Sequence, residues 1–384
     1  MTKVPSGVSV ALACGGTGGH LFPGLAVAHE LADRGARVIL FVSPKEVDQE
    51  GVVAARGRFE IVTLPLVAFS RRRAWTFLKG TWDGYRTVEA VFAQGRPAAV
   101  LAMGGFTAVA PVLAGRRMGA RVFLHESNTV PGRANRWLSR LTEVGCVGFP
   151  EAAKRWPNQR VQVTGTPVRK EIRQAESGPS RRAHGLDENR PVLLVTGGSQ
   201  GAQGVNRLML ACLAGVAHKH SDLQFVHLTG PSDFSSVSEA YGRMGIPALV
   251  RPFSHRMDQL LAAATVAVSR SGASSLAEMA ARRLPSVLIP YPTAADDHQR
   301  HNAAAFVRAG AARMLDQATA DGPALGKVLD ELLSSSQMRQ SMSDALAGLD
   351  IPQAATEIAE LISRKIMSSM ATSEPRGAAS PGAR

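Results

Sequence analysis

The chain has 384 residues, 45% of them hydrophobic, and a formal net charge of +13. At about 150 residues per domain the length predicts two or three domains with real apolar cores, and the charge asks for an anionic partner: nucleic acid, a membrane surface or a phosphorylated substrate. The three cysteines, Cys14, Cys146 and Cys212, show no C-x-x-C spacing, which excludes a disulfide framework and points to a reducing compartment.

The apolar run Val8–Ala13 stops at Gly15, Gly16, Gly18 and Gly19, and Leu21, Leu25, Ala28, Leu31 and Ala32 follow at helical spacing. That pattern predicts strand, tight turn and helix. Glycines let backbone approach a ligand closely, and a helix N-terminus offers unpaired N–H groups to an anion. The run is shorter than the roughly 7–15 residues of a signal h-region, so Ala11-Leu-Ala-Cys14 reads as strand rather than a lipoprotein signal. Nowhere do about 18 apolar residues run together, so no transmembrane helix is expected. His20 closes the turn. An imidazole there can take a proton from a sugar hydroxyl, or it can simply cap and pack.

Arg37–Val42, Ala98–Met103 and Arg121–His125 read as further strands, each ending in small or polar residues as the carboxyl ends of parallel strands do at a ligand rim. Residues 61–86 differ: Leu64, Leu66, Val67, Phe69, Trp75, Phe77, Leu78 and Trp82 are interleaved with Arg71, Arg72, Arg73 and Lys79. This mixture suits an anionic lipid surface, and equally a core-facing helix beside a solvated basic loop. The charged segment Arg169–Asn189 reads as a linker. Beyond it the opening grammar returns: Pro191–Thr196 runs into Gly197-Gly-Ser-Gln-Gly-Ala-Gln-Gly204 and a helical pattern. Leu223–Leu228, Ala248–Val250, Thr265–Ser269 and Ser286–Pro290 are the later strands. Helices are expected to end near Met367, before a Ser/Ala/Pro/Gly-rich disordered tail.

Neither glycine turn is a dinucleotide fingerprint, since Leu21 stands where the third glycine of G-x-G-x-x-G belongs, and neither carries the G-x-x-x-x-G-K-[ST] of a P-loop. Ser269-Arg-Ser-Gly-Ala-Ser-Ser-Leu-Ala-Glu278 follows a strand and opens a helix near Gly272–Ser274. Its N–H groups with Ser274 and Ser275 suit a phosphate, and Glu278 suits the two hydroxyls of a ribose; a plain serine cap is the alternative. His298 and His301 lack a third ligand pattern, so no metal site is expected. Arg169 is a candidate diphosphate partner or a solvated linker charge.

Together these pieces resemble the MurG family of peptidoglycan glycosyltransferases. The likeness rests on Gly15-Gly-Thr-Gly-Gly-His20, Met103-Gly-Gly105, His125-Glu-Ser-Asn128 with Pro131, Gly132 and Asn135, Gly165-Thr-Pro-Val-Arg169, Gly197-Gly-Ser-Gln-Gly-Ala202, Arg270-Ser-Gly-Ala273 with Glu278, and His298-Gln299 with Asn302, in that order over roughly residues 8–310. The resemblance implies a GT-B glycosyltransferase fold, an α/β architecture of two Rossmann-like domains facing each other across a cleft. Residues 1–168 would bind the lipid acceptor and the membrane. Residues 169–367 would bind the UDP-sugar, the last helices packing back on the first domain, and 368–384 would be the tail.

The implied activity is an inverting, metal-free transfer of N-acetylglucosamine from UDP-N-acetylglucosamine to the 4-hydroxyl of undecaprenyl-pyrophosphoryl-N-acetylmuramoyl-pentapeptide (lipid I). It would need no cofactor and would run at the cytoplasmic face of the inner membrane, on an anionic surface and without nucleic acid. Carried over by motif, Ser199 and Arg169 hold the diphosphate. Ser254 lies at the uracil and Met257 near the nucleoside. Ala273, Ser274, Ser275 and Glu278 hold phosphate and ribose, and Thr17, Gly18, Gly19, Asn128 and Gln299 meet the sugar. His20 is the candidate base. Two residues depart from the family pattern: Phe106 stands for a frequent tyrosine, and Ser127 for the glutamine of the H-E-Q-N form. The competing expectations are another GT-B transferase with a different acceptor and, from another class, a nucleic-acid binder, which would bind arbitrary DNA or RNA with strong salt dependence.

Overall fold

The computed structural model describes residues 2–5, 7–66, 74–198 and 201–373. Two parallel sheets organise it. The first has seven strands in the order β3-β2-β1-β4-β5-β6-β7, where β1 is Ser9–Ala13, β2 Arg37–Val42, β3 Glu60–Thr63, β4 Ala99–Ala102, β5 Arg121–Glu126, β6 Val144–Val147 and β7 Val161–Val163. The second has six in the order β10-β9-β8-β11-β12-β13, with β8 Val192–Thr196, β9 Gln224–Leu228, β10 Ala248–Arg251, β11 Val266–Ser269, β12 Ser286–Leu288 and β13 Arg313–Met314. In each the order reverses beside the first strand, and a crevice opens at the carboxyl ends of such strands.

Alternation along the strands builds a core on both faces. Val10 and Leu12 of β1 join the cluster under the helix Gly18–Asp33, while Ala11 and Ala13 join the opposite one with Val88 and Phe92. In the second sheet Leu193 and Val195 pack on the helices Gln203–Lys219 and Gly322–Ser334, and Val192 and Leu194 face Leu276 and Phe306. The last helix, Ala354–Ser373, crosses back: Ile358, Ile362 and Ile366 lie in the first sheet's core, and Glu360 pairs with the buried Arg34.

Several expectations need correction. The segment 169–189 is not a plain linker, because it carries the helices Lys170–Gln174 and Ser177–Ala183, with Ile172 fully buried. The last helix runs past Met367 to Ser373, so the tail does not begin at 368; residues 374–384 lie outside the described residues. Strands β3, β6, β7 and β13 were not predicted. They are two to four residues long, and β6 is broken in pattern by Gly145, so none shows a period of its own.

The helix Ala74–Gln94 faces the core in its later turns and solvent in its earlier ones. Val88 and Phe92 are fully buried, Phe92 against Phe41 at 5.6 Å between ring centroids, whereas Trp75, Leu78 and Trp82 are 84%, 57% and 62% exposed. Residues 67–73, with Arg71, Arg72 and Arg73, and the Phe77 side chain lie outside what is described. Among the described residues no helix is long and apolar enough to cross a membrane.

Candidate active site

Both sheets aim their carboxyl ends at one cleft, which holds a cavity of about 840 Å³, within the range of small-ligand sites. Its first-domain wall is the glycine turn after β1. Only glycine fits there: a Cβ on Gly15 would lie 2.3 Å from the Ser43 N, and Gly16 stands at φ +110°. The helix Gly18–Asp33 starts immediately after, its Thr17 N-cap side chain accepting from no first-turn backbone N–H.

The opposite wall is the N-terminus of the helix Ala273–Ala281, capped by Gly272 without a side-chain bond, so its first N–H groups are left for an anion. Ala273, Ser274 and Ser275 line the cavity here, and the Ser274 hydroxyl donates to the Gly19 carbonyl across the cleft at 2.8 Å. One turn on, Glu278 lies 3.5 Å from the Arg169 guanidinium, which rests 4.1 Å above the Phe22 ring. Burial pushes the Glu278 carboxyl up, and Arg169 pulls it partly back. The Tyr291 N–H donates to the Gln299 carboxamide oxygen at 3.0 Å, which leaves the Gln299 NH2 as the group to offer the cleft it lines. The far end is apolar: Met257, Leu261 and Phe253 meet the Pro252–Ser254 backbone, and the Ser254 hydroxyl is taken up by the Arg256 N–H at 3.1 Å.

His20 sits beside this cavity, half-buried between two glycine turns. Its Nδ1 is 3.1 Å from the Thr17 hydroxyl, and a Cβ on Gly105 would stand 3.1 Å from its Cε1. Burial lowers its pKa, while Glu126 and Asp48 pull upward and Lys45 and His298 downward. Glu126 is itself buried and saturated. It accepts from Asn128 N and Nδ2, both at 2.9 Å, and from Gly132 N and Asn135 Nδ2, both at 2.8 Å.

Of the residues singled out in the sequence, Thr17, Gly18, Gly19, Arg169, Ser254, Met257, Ala273, Ser274, Ser275, Glu278 and Gln299 come together around the cavity. Asn128 is not part of that lining: its amide is spent on Glu126 and on Asn302 Nδ2, 3.0 Å away. Ser199 lies outside the described residues. His298 gives its Nδ1–H to the Ala295 carbonyl at 2.8 Å. His125 is a buried strut whose Nε2–H donates to the Gly165 carbonyl at 3.0 Å, and Ser127 stands 3.4 Å from its Nδ1. Phe106 packs on Gly16 with Lys45 5.6 Å above its ring.

Sequence reasoning passed over Phe22 and Asp48. Phe22 reads as one more apolar helical residue; its position two after His20 was the available signal. Asp48 reads as a solvated charge, and only the fold shows it fully buried against Gly16.

Known proteins resemble this chain over nearly its whole length. Residues 10–144 match the glycosyltransferase family 28 N-terminal domain, and residues 192–362 match its C-terminal domain. The chain is 35% identical over 373 residues to the UDP-N-acetylglucosamine–N-acetylmuramyl-(pentapeptide) pyrophosphoryl-undecaprenol N-acetylglucosamine transferase of Moorella thermoacetica, covering 94% of this chain and 99% of that one. It is 37% identical over 357 residues to the protein of the same name from Halorhodospira halophila, covering 92% and 97%. The crystal structure of Acinetobacter baumannii MurG superposes with a TM-score of 0.71 at 26% identity, over 93% of this chain and 99% of that one.

Proposed function

The chain belongs to glycosyltransferase family 28, within the transferases that its relatives represent, and on that premise we propose how its cleft performs the reaction. It is a hexosyltransferase that moves N-acetylglucosamine from UDP-N-acetylglucosamine to undecaprenyl-pyrophosphoryl-N-acetylmuramoyl-pentapeptide, completing the lipid-linked peptidoglycan precursor. The second domain takes the donor and the first takes the acceptor. Uracil occupies the apolar end at Ser254 and Met257. Glu278 accepts from the ribose hydroxyls, and the helix start at Ala273–Ser275 with Arg169 and Ser199 holds the diphosphate. Gln299 and the Thr17–Gly19 turn face the sugar, with Asn128 setting the acceptor loop behind it.

The acceptor 4-hydroxyl attacks the anomeric carbon in line, opposite the departing UDP, so the linkage inverts. His20 takes the hydroxyl proton. The charge growing on the diphosphate meets preorganised N–H groups and a guanidinium, the arrangement that gives electrostatic catalysis its size, and no metal is needed. The observation that carries this reading is the opposition of two helix starts across one cavity, bonded at Ser274 to Gly19, with Arg169 and Glu278 between them. We assign the basic surplus to the phosphates of both substrates and to an anionic membrane at the cytoplasmic face, rather than to nucleic acid. Trp75, Leu78 and Trp82, exposed along one helix face, support a peripheral attachment.

The deciding experiment measures UDP release from UDP-N-acetylglucosamine with and without a soluble lipid I analogue, in EDTA. Release that requires the acceptor and persists in EDTA is expected. Donor binding without turnover would instead point to a different acceptor, and loss of turnover in EDTA would remove the metal-free mechanism.

A further inference from the structure

The loop after β2 grips the first glycine turn from two sides. Asp48 is fully buried, and its Oδ2 accepts from Gly16 N at 2.5 Å, from Ser43 N at 3.1 Å and from the Ser43 hydroxyl at 2.5 Å. Lys45 Nζ donates to the carbonyl of the same glycine at 2.8 Å. Gly16 stands in the left-handed region at φ +110°, where backbone needs outside support to stay. The backbone that leads into Thr17 and His20 is therefore held by a carboxylate and an ammonium together.

The other Asp48 oxygen, Oδ1, is buried and has no hydrogen-bond partner among the described residues. A carboxylate kept in that condition costs stability, since half of its lone pairs have lost water and gained nothing. Glu126, the other buried carboxylate whose field reaches His20, has both oxygens fully used in shaping the 128–135 loop. Among the described residues, the groups that act on His20 are these two carboxylates, with Lys45 and His298 opposing them and the buried His125 interacting with it.

We propose that Asp48 is a positioning residue for His20: it fixes the turn through the Gly16 N–H, and its unspent charge stabilises the imidazolium formed during transfer. The inference rests on His20 as proton acceptor. In the step it serves, the acceptor O–H bond breaks and its oxygen bonds to the anomeric carbon. The bond from that carbon to the UDP phosphate oxygen breaks and its electron pair leaves with UDP. The proton goes to His20, which becomes cationic within the field of Asp48. The electrostatics point the same way, since burial lowers the His20 pKa and Asp48 counteracts it.

The test uses the full-length enzyme, UDP-N-acetylglucosamine and a soluble lipid I analogue, with kcat followed against pH. Asp48→Asn keeps an oxygen for the Gly16 N–H and removes the charge. Its acidic limb should move to lower pH, because the imidazole then binds its proton less tightly. Its plateau should fall on the order of tenfold, because a weaker base removes the hydroxyl proton less well, with KM for the donor unchanged. Asp48→Glu, which keeps the charge, should hold the limb at its wild-type position. If Asp48→Asn melts below the assay temperature, the Asp48→Glu limb decides alone, and a shifted limb there overturns the inference. A lower plateau with an unmoved limb in Asp48→Asn also overturns it, leaving a structural role. Full turnover by Asp48→Asn beside an inactive His20→Ala overturns this inference only; full turnover by His20→Ala overturns the base assignment and the inference with it.

Discussion

Glu278 and Arg169 pair in the wall of the cavity, and on the proposed reading donor binding exchanges that ion pair for two ligand contacts. Replacing Glu278 by Gln removes a charged acceptor, whose hydrogen bonds are worth about 1.5–3 kcal/mol; KM for UDP-N-acetylglucosamine should rise by about tenfold or more with kcat little changed. Burial raises the Glu278 pKa, so its carboxylate protonates at a higher pH than an ordinary one as the solution is acidified. Donor affinity measured by calorimetry should therefore weaken before ordinary carboxylates titrate, and the Gln variant should lack that dependence. His20→Ala should lose roughly 10²–10⁴ in kcat, the usual share of general base catalysis, while binding donor normally; retained turnover would remove His20 from the chemistry. At this scale the sequence was informative where chemistry needs a special residue type. Glycines at sharp turns, serines at a helix start and one glutamate a turn later are visible as letters. Asp48 was not, because Lys45-Glu-Val-Asp-Gln-Glu50 gives no sign of which charge turns inward.

The helix Ala74–Gln94 shows what one element can be asked to do at once. Its later turns are held by Val88 and Phe92, and Phe92→Ala should cost about 3–5 kcal/mol, as for other large buried aromatics, read from urea unfolding. Its early turns leave Trp75, Leu78 and Trp82 in the open, with Trp82 stacked on Tyr85 at 6.1 Å. Changing all three exposed residues to Ala should leave the melting temperature within a few degrees and sharply reduce sedimentation with anionic vesicles. Changing Arg71, Arg72 and Arg73 should reduce it further, at about 1 kcal/mol for each basic residue near the surface. Binding that ignores both sets would sink the membrane assignment. The sequence left a lipid-facing stretch and a core-facing helix as equal alternatives here, and only the fold shows which turns meet the core. The short strands β3, β6, β7 and β13 left no period at all, and only pairing with neighbours defines them.

Across the whole molecule, the two domains are joined at more than the chain crossing. Asn302 of the second domain accepts from Thr129 N at 2.9 Å and donates to Asn128 Oδ1 at 3.0 Å, and the last helix returns to the first sheet. There the N–H and hydroxyl of Thr2, then Arg34, hold the Glu360 carboxyl down at about 2. A depressed carboxylate pKa contributes stability that is present above the unfolded value and lost as pH falls toward the folded one. Glu360→Gln should therefore lower the melting temperature at neutral pH, and the two proteins should converge as the pH falls through 4 toward 2; a constant difference would show that the pair does not act by charge. The sequence by itself determined the alternation of strand and helix, the doubled glycine turn, the two-domain architecture and the family, because these depend on local conformation and on periodicities of a few residues. The tertiary structure alone decided that Asn128 faces Asn302 rather than the cavity, that Phe22 underlies Arg169, that residues 170–174 and 177–183 fold into helices, and that Asp48 is buried against the Gly16 turn. Each of these joins groups brought together by packing, and a linear pattern carries no record of which side chains will lose their water when the sheets close.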